Sequence, residues 1–295
     1  MLHGWIILDK PLGLGSTQGV GAVKRILREA GEPKTKIGHG GTLDPLATGV
    51  LPIALGEATK LAGRMLDASK IYDFTVAFGS ETDTLDKEGT VIATSEIVPT
   101  REELEAALPA FTGPIAQVPP AYSALKVDGK RAYDLARKGE EVVLKSRNVT
   151  IHALDLLAFE EGAATLRAFV SKGTYIRSLA RDIAYALQSC GTVTMLHRIK
   201  AGPFSLEQAI SLDKLEEAAK ARALTEVVLP LEAGLDDIPG LSVTPEQARL
   251  LRQGQRLSGF PAPPGLYLAK DGKLPVALVE RTEDDLRVER GFNLD

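Results

Sequence analysis

The chain has 295 residues, 44% of them apolar and 25% charged, with a formal net charge of −4. That length exceeds one average domain, so one large and one small domain are expected, and the composition excludes a disordered or membrane-embedded chain. The acidic balance argues against a protein that coats nucleic acid by bulk charge, and the single cysteine, Cys190, excludes an internal disulfide and leaves a thiol expected to pack inside.

The opening MLHGWIILDK lacks a cationic start, a long apolar run and a small-residue cleavage site, and no run of 18 apolar residues occurs anywhere, so a cytoplasmic location without a membrane partner is expected. Trp5 to Leu8 reads as a buried strand, and the glycines at 13, 15, 19 and 21 open a helix through Val23–Leu27. Strand, glycine loop and helix invite a nucleotide-binding reading, but Gln18 stands where the third glycine of a dinucleotide fingerprint is needed, and no P-loop string occurs.

The next segment, Gly38-His39-Gly40-Gly41-Thr42-Leu43-Asp44-Pro45-Leu46-Ala47-Thr48-Gly49-Val50-Leu51, presents a carboxylate at a sharp backbone transition. Two readings stand side by side. Asp44 before Pro45 is the pattern of a helix N-cap, and it is equally a way to display a catalytic acid. His39 among glycines can cap a turn or pack; with His3, His152 and His197 it shows no metal-ligand spacing, and no metal is expected.

Tyr72 to Gly79 alternates as a strand should, with Tyr72 an ordinary core or edge aromatic on spacing alone, and Arg101–Leu108 is an amphipathic helix. Residues 119–148 form a basic stretch, seven cations against four acids, that reads as a substrate-gripping insertion or as an exposed helix with loops. Residues 149–159 and 164–170 read as paired strands. Ser171-Lys172-Gly173-Thr174-Tyr175-Ile176-Arg177 is then a glycine turn entering a helix that runs to about Gln188, where an arginine can pair with a carboxylate or reach phosphate.

Charge is uneven along the chain. Residues 162–200 hold Arg167, Lys172, Arg177, Arg181, Arg198 and Lys200 against Asp182, whereas residues 71–105 hold nine acids and two bases. A local basic surface can bind a compact polyanion, and a solvated charged face fits equally well. Residues 206–230 read as helical, 236–240 as a turn-rich boundary, and 241–295 as several short strands split by the turn Asp271-Gly272. Strands and helices are interspersed without a βαβ rhythm, so the expected fold class is α+β.

Four strings, Lys10-Pro11-Leu12-Gly13, the run from Gly38 to Leu51, Pro120-Ala121-Tyr122-Ser123-Ala124-Leu125-Lys126, and Lys172-Gly173-Thr174-Tyr175-Ile176-Arg177-Ser178-Leu179, occur in that order and resemble the TruB family of pseudouridine synthases. The resemblance spans about residues 4–240, and Gly15 departs from it where the family usually carries Ser or Thr. It implies a pseudouridine synthase mixed sheet over residues 1–240, with 119–148 as an RNA-gripping insertion, and a small β-rich PUA-like RNA-binding domain over 241–295. It implies as well a stand-alone, monomeric enzyme acting on the T stem-loop of tRNA, where it isomerises the uridine at position 55. By position in the strings, Asp44 matches the nucleophile and Arg177 its basic partner. Tyr72 matches the tyrosine that stacks on the target base, His39 a support of the splayed loop, and Tyr175 and Leu196 substrate contacts; Lys10 is a weaker structural support. From residue 201 onward 11 bases face 16 acids, which weakens the case for RNA affinity there.

The chemistry suits those residue types. Pseudouridine formation breaks the bond from C1′ to N1, turns the base and rejoins it through C5, so nothing is oxidised and no cofactor is expected. An aspartate is ionised at neutral pH and needs no base to activate it. A protein that binds or folds RNA with catalysis secondary, and a relative acting on another RNA, are the competing expectations.

Overall fold

The computed structural model describes residues 1–294 except 124, 128–129, 138–143 and 161. Its first unit is the expected one: strand β1 (Gly4–Lys10), then helix α1 (Ser16–Glu29), which buries Val23, Ile26 and Leu27. Next come β2 (Ile37–His39), β3 (Ala47–Leu55), α2 (Ala62–Asp67) and β4 (Lys70–Phe78). A hairpin of β5 (Ser80–Thr82) and β6 (Val91–Thr94) leads to α3 (Arg101–Ala107), whose start is fixed by a capping box between Thr100 and Glu103. Beyond it lie β7 (Gly113–Gln117), the two-residue strands β8 (Lys126–Val127) and β9 (Lys130–Arg131), and α4 (Ala132–Arg137). The expected pair of strands is β10 (Arg147–Glu160) and β11 (Ala163–Val170), succeeded by α5 (Ile176–Ala186), β12 (Gly191–Ala201) and β13 (Phe204–Ser205).

These strands form a mixed sheet in the order β1-β3-β12-β4-β11-β10-β7, with β2 on β3 and β13 on β12. Only β12 and β3 run parallel, through Leu196↔Ala47, His197↔Thr48 and Arg198↔Gly49; the other pairs are antiparallel. At this crossing Gly49 has φ of 97°, and a Cβ there would lie 2.3 Å from the Arg198 carbonyl, so a glycine lets the two backbones meet.

Alternation along β1 divides its side chains between two cores. Ile6 and Leu8 join the cluster under α1 and α5, with Phe74, Leu166 and Ile183, while Trp5 and Ile7 join a second cluster with Val50, Leu231 and Phe204. The outer edge of β1 is closed by bridges from Trp5 to Leu229 and from Leu8 to Ile210, which removes an exposed ladder of backbone donors and acceptors.

Residues 206–230 are not one helix. Ala209–Ser211 is drawn into extended backbone against β1, so α-helix starts only at α6 (Leu212–Lys220), capped by the Ser211 hydroxyl, and Arg222, at φ of 57°, separates it from the single turn α7 (Leu224–Val227). The last segment makes its own sheet, β14 (Gly240–Ser242), β16 (Gly265–Asp271), β17 (Leu274–Arg281), β18 (Asp285–Gly291) and β15 (Leu257–Ser258) in that order, with α8 (Pro245–Arg252) against it. Leu268 and Leu278 of this sheet, with Phe292 just past β18, belong to the Trp5 cluster, so the small sheet shares a core with the large one. Among the described residues no helix is long and apolar enough to cross a membrane. Cys190 is half-buried rather than enclosed.

Candidate active site

The cleft opens across the middle of the large sheet, where β3, β12 and β4 lie side by side. It encloses about 360 Å³, and its walls include Asp44, Tyr72, Tyr175, Arg177 and Leu196, five of the six residues singled out in the sequence. Tyr72 comes from β4 and Leu196 from β12, each packed on a central strand, while Tyr175 and Arg177 come from the start of α5.

Asp44 is not a helix cap. Its carbonyl accepts from the Ala47 amide at 3.0 Å in a turn, and the chain goes directly into β3, so there is no helix to claim the carboxylate. That carboxylate is 39% exposed at the cleft and lies 2.9 Å from Nη2 of Arg177, whose side chain is only 6% exposed.

Arg177 is over-determined. Its Nη1 donates to the Thr84 carbonyl at 2.7 Å, its Nη2 to the Tyr122 carbonyl at 3.0 Å, and Nη1 stands 3.6 Å from Asp86 Oδ2. Asp86 is itself buried, at 4% exposure, and accepts from the Thr84 hydroxyl at 2.6 Å and the Glu88 amide at 3.1 Å. One guanidinium thus joins two carboxylates, one inside the protein and one facing the cleft. A planar five-donor fork can do this and an ammonium cannot.

The loop that carries Asp44 is held from below by two more buried cations. Arg198, 1% exposed, donates from Nε to the Val50 carbonyl at 2.7 Å, from Nη2 to Gly41 at 3.1 Å and from Nη1 to Thr42 at 3.4 Å. Lys10 is fully buried, and its Nζ donates to the carbonyls of Leu14 at 2.5 Å, Pro11 at 3.0 Å and Pro45 at 3.4 Å. Burial pulls the Lys10 amine down to about 8, against the opposing charge of Asp44 and with that of Arg198. Ser16, at the first turn of α1, completes the cradle: its hydroxyl donates to the Leu43 carbonyl at 2.9 Å and accepts from the Leu43 amide at 2.7 Å. Gly15, the departure noted in the sequence, leaves this turn intact, with its amide donating to Gln18 Oε1 at 2.8 Å.

Tyr175 is fixed through its backbone. The Gln117 side chain, almost fully buried, accepts from the Tyr175 amide at 2.8 Å and donates to its carbonyl at 3.1 Å. The Arg147 guanidinium carbon lies 4.8 Å from the centre of the Tyr175 ring, so this cation, which belongs to the basic stretch 119–148, begins β10 and supports the cleft wall. On the opposite wall Lys70 donates to the carbonyls of Ala68, Leu66 and Met65 at 2.5, 2.7 and 2.9 Å, closing the end of α2. Burial pulls its amine to about 8 as well.

His39 does not line the cleft. It sits on β2, backbone-paired with Ile53, and its Nδ1 is buried without a hydrogen-bond partner among the described residues. Burial, reinforced by the Arg198 charge, lowers its pKa and favours the neutral ring. Among the described residues no group of three or more His, Cys, Asp or Glu side chains could hold a metal ion.

Most of the cations in residues 162–200 are either buried or paired with carboxylates. Arg177 and Arg198 are buried, Arg167 forks onto Asp73 at 2.7 and 2.8 Å, Arg181 pairs with Asp182 at 2.8 Å and Lys172 with Asp67 at 2.9 Å. Counting charge along the sequence overstated the surface field because most of these cations have partners that lie elsewhere in the chain. Of the basic stretch 119–148, residues 124, 128–129 and 138–143 lie outside the described residues, and the gripping role expected of the stretch lies partly there.

Comparison with known proteins agrees with this architecture. The family model of the TruB pseudouridylate synthase N-terminal domain matches residues 24–176, and that of the tRNA pseudouridylate synthase B C-terminal domain matches residues 177–236. The chain belongs to the TruB family. Its relatives include a protein named tRNA pseudouridine synthase B from Novosphingobium aromaticivorans, 66% identical over 299 residues, covering 100% of this chain and 98% of the relative. Another of that name, from Zymomonas mobilis, is 61% identical and covers 99% of this chain and 96% of its own. A crystal structure of a Cbf5-Nop10-Gar1 complex superposes with a TM-score of 0.75 at 25% identity, covering 99% of this chain and 85% of that one. As a TruB family member the chain has the α+β pseudouridine synthase fold expected of it. Asp86, Gln117, Lys70 and the loop-clamping role of Arg198 are site features that sequence reasoning missed.

Proposed function

We propose that this TruB family chain isomerises the uridine at position 55 in the T loop of tRNA to pseudouridine, with Asp44 as the nucleophile and Arg177 as the group that pairs with it and aims it. The observation that carries the proposal is the Asp44 carboxylate, the one acid lining the cleft among the described residues, held on a buried guanidinium with Tyr72 and Tyr175 also in the walls. Relatives matching nearly the full chain are named for tRNA pseudouridine synthesis, which supports tRNA as the substrate.

In the reaction the C1′–N1 bond breaks, the uracil turns while held, C5 bonds to C1′, the C5 proton leaves to solvent and N1 gains one. Tyr72 and Tyr175 offer faces for the extruded base, and a stacked base recovers roughly 1–3 kcal/mol of what unstacking costs. Leu196, 7% exposed, shapes the apolar floor. His39, outside the cleft wall on the strand that enters the Asp44 loop, is assigned to support of the splayed T loop, in keeping with its place in the family string. The small sheet over residues 241–295 serves as a PUA-like RNA-binding domain beside a catalytic domain over 1–240, and the protein acts as a cytoplasmic monomer without cofactor or metal.

The test is incubation of purified protein with an unmodified tRNA transcript and mapping of pseudouridine along it. Product at the T-loop uridine alone supports the reading. Product at a different position, or tight binding with no product, overturns it in favour of another RNA site or an RNA-folding role.

A further inference from the structure

We infer that the groove between α1 and the loop entering β2 holds the phosphate backbone of the RNA stem that flanks the target loop, a contact that rests on the RNA-modifying reading above. The charged lining of the groove is Lys24, Arg25 and Arg28 from α1 and Lys34 and one acid, Glu32, from the loop, and an adjoining hollow adds Lys36. On α1 these cations lie at i+3, i+4 and i+7 from Gly21, which places them along one helix face turned away from the buried Val23, Ile26 and Leu27.

All five cationic side chains are exposed, and none has an ion-pair partner within 4.0 Å among the described residues. Residues 24–36 carry those five cations against Glu29 and Glu32, a net +3 on a protein whose total is −4. In residues 162–200 most cations are buried or paired with carboxylates, whereas here they face solvent together.

The position is as informative as the charge. Both walls of the groove end at the loop that bears Asp44. Helix α1 starts at Ser16, bonded to Leu43, and β2 runs straight into Gly40 and the Asp44 turn. At 1.5 Å per residue, Lys24 to Arg28 lie about 12–18 Å from Ser16 along the helix. An A-form RNA duplex rises less per step than the 3.4 Å of B-DNA, so that distance corresponds to about four to six base-pair steps. An RNA with its target base in the cleft would therefore carry its adjoining stem over this groove. Solvated cations of this kind position a duplex through its phosphates and carry no sequence information.

The experiment compares full-length wild type with the fourfold variant Lys24→Gln, Arg25→Gln, Arg28→Gln, Lys34→Gln. Binding to a transcript of the complete tRNA is measured from 50 to 200 mM salt, with single-turnover conversion at saturating protein. If three of the four cations each meet a phosphate, the slope of log K against log salt falls by about 2.7, and the loss of affinity across that fourfold salt range shrinks about 40-fold. The saturated single-turnover rate stays within twofold, since none of the four touches the cleft. Glu29→Gln, Glu32→Gln shifts affinity the other way and gives a second reading should the fourfold variant unfold. An unchanged salt slope and affinity in both variants, with wild type active, overturns the groove assignment. That result would leave the surface to an acidic protein partner or to solvent. A wild type that neither binds nor converts tRNA overturns the functional reading instead.

Discussion

Replacing Arg177 by methionine keeps the apolar stem of the side chain and removes the charged guanidinium head, whose Nη1 and Nη2 make the contacts in question. Asp86 would then be an ionised carboxylate at 4% exposure with only the Thr84 hydroxyl and the Glu88 amide left to it, and two carbonyls, Thr84 and Tyr122, would lose their donors. Leaving one member of a buried ion pair uncompensated costs about 3–5 kcal/mol, so Arg177→Met is expected to lose that much stability in chemical denaturation. Adding Asp86→Asn in the Arg177→Met background removes the stranded charge and is expected to recover at least about 1 kcal/mol. Arg177→Lys keeps the charge but cannot serve both carboxylates and both carbonyls, and its single-turnover release of hydrogen from uridine C5 should fall on the order of 100-fold or more. Additive stabilities for Arg177→Met and Asp86→Asn, or a wild-type turnover rate in Arg177→Lys, would refute the idea that one guanidinium ties the inner carboxylate to the outer one.

Tyr72→Ala should slow single turnover by at least about 100-fold, with tRNA affinity reduced by much less, whereas Tyr72→Phe separates the ring from its hydroxyl; equal affinity losses and rate losses in the alanine variant would point to a binding role only. The two buried lysines set a pH dependence. Lys10 and Lys70 sit at about 8 in the folded chain against 10.5 when unfolded, so between those values the unfolded state binds more protons and both sites add to stability as pH rises. Denaturation midpoints of wild type and of Lys70→Met, compared at pH 7.5 and 9.5, should show a smaller pH-linked gain in the variant; identical gains would contradict the assignment of the low amine pKa to burial.

The legible part of the sequence lay in contiguous strings. Local context leaves Asp44 open between a helix cap and a catalytic acid and marks Tyr72, Tyr175 and Arg177 as ordinary residues; it is the resemblance carried by strings such as Gly38–Leu51 and Lys172–Leu179 that singles out Asp44, Tyr72, Tyr175, Arg177 and Leu196. The N-cap reading of Asp44 failed because the parallel pairing of β3 with β12 sets the backbone after Pro45 as a strand, and a long-range pairing leaves no local mark. Asp86 was invisible for a similar reason. It stands in an acidic stretch that reads as solvated, and only the packing of the turn around Leu85 and Asp86 against β12, through Val193, brings it to Arg177. Arg198 looked like part of a basic surface because charge can be counted in a sequence but burial cannot. Lys10 shows how the same limit works in reverse, since its string suggested a modest supporting role and the fold gives it three carbonyls, one of them belonging to the residue after Asp44.

The most direct test of the central claim is Asp44→Asn, which changes one oxygen to an amide and leaves the cradle of Ser16, Lys10 and Arg198 untouched. With tRNA labelled at uridine C5, this variant should bind as wild type does and release no label above background in single turnover. Release at a rate near that of wild type would show that Asp44 is not the nucleophile.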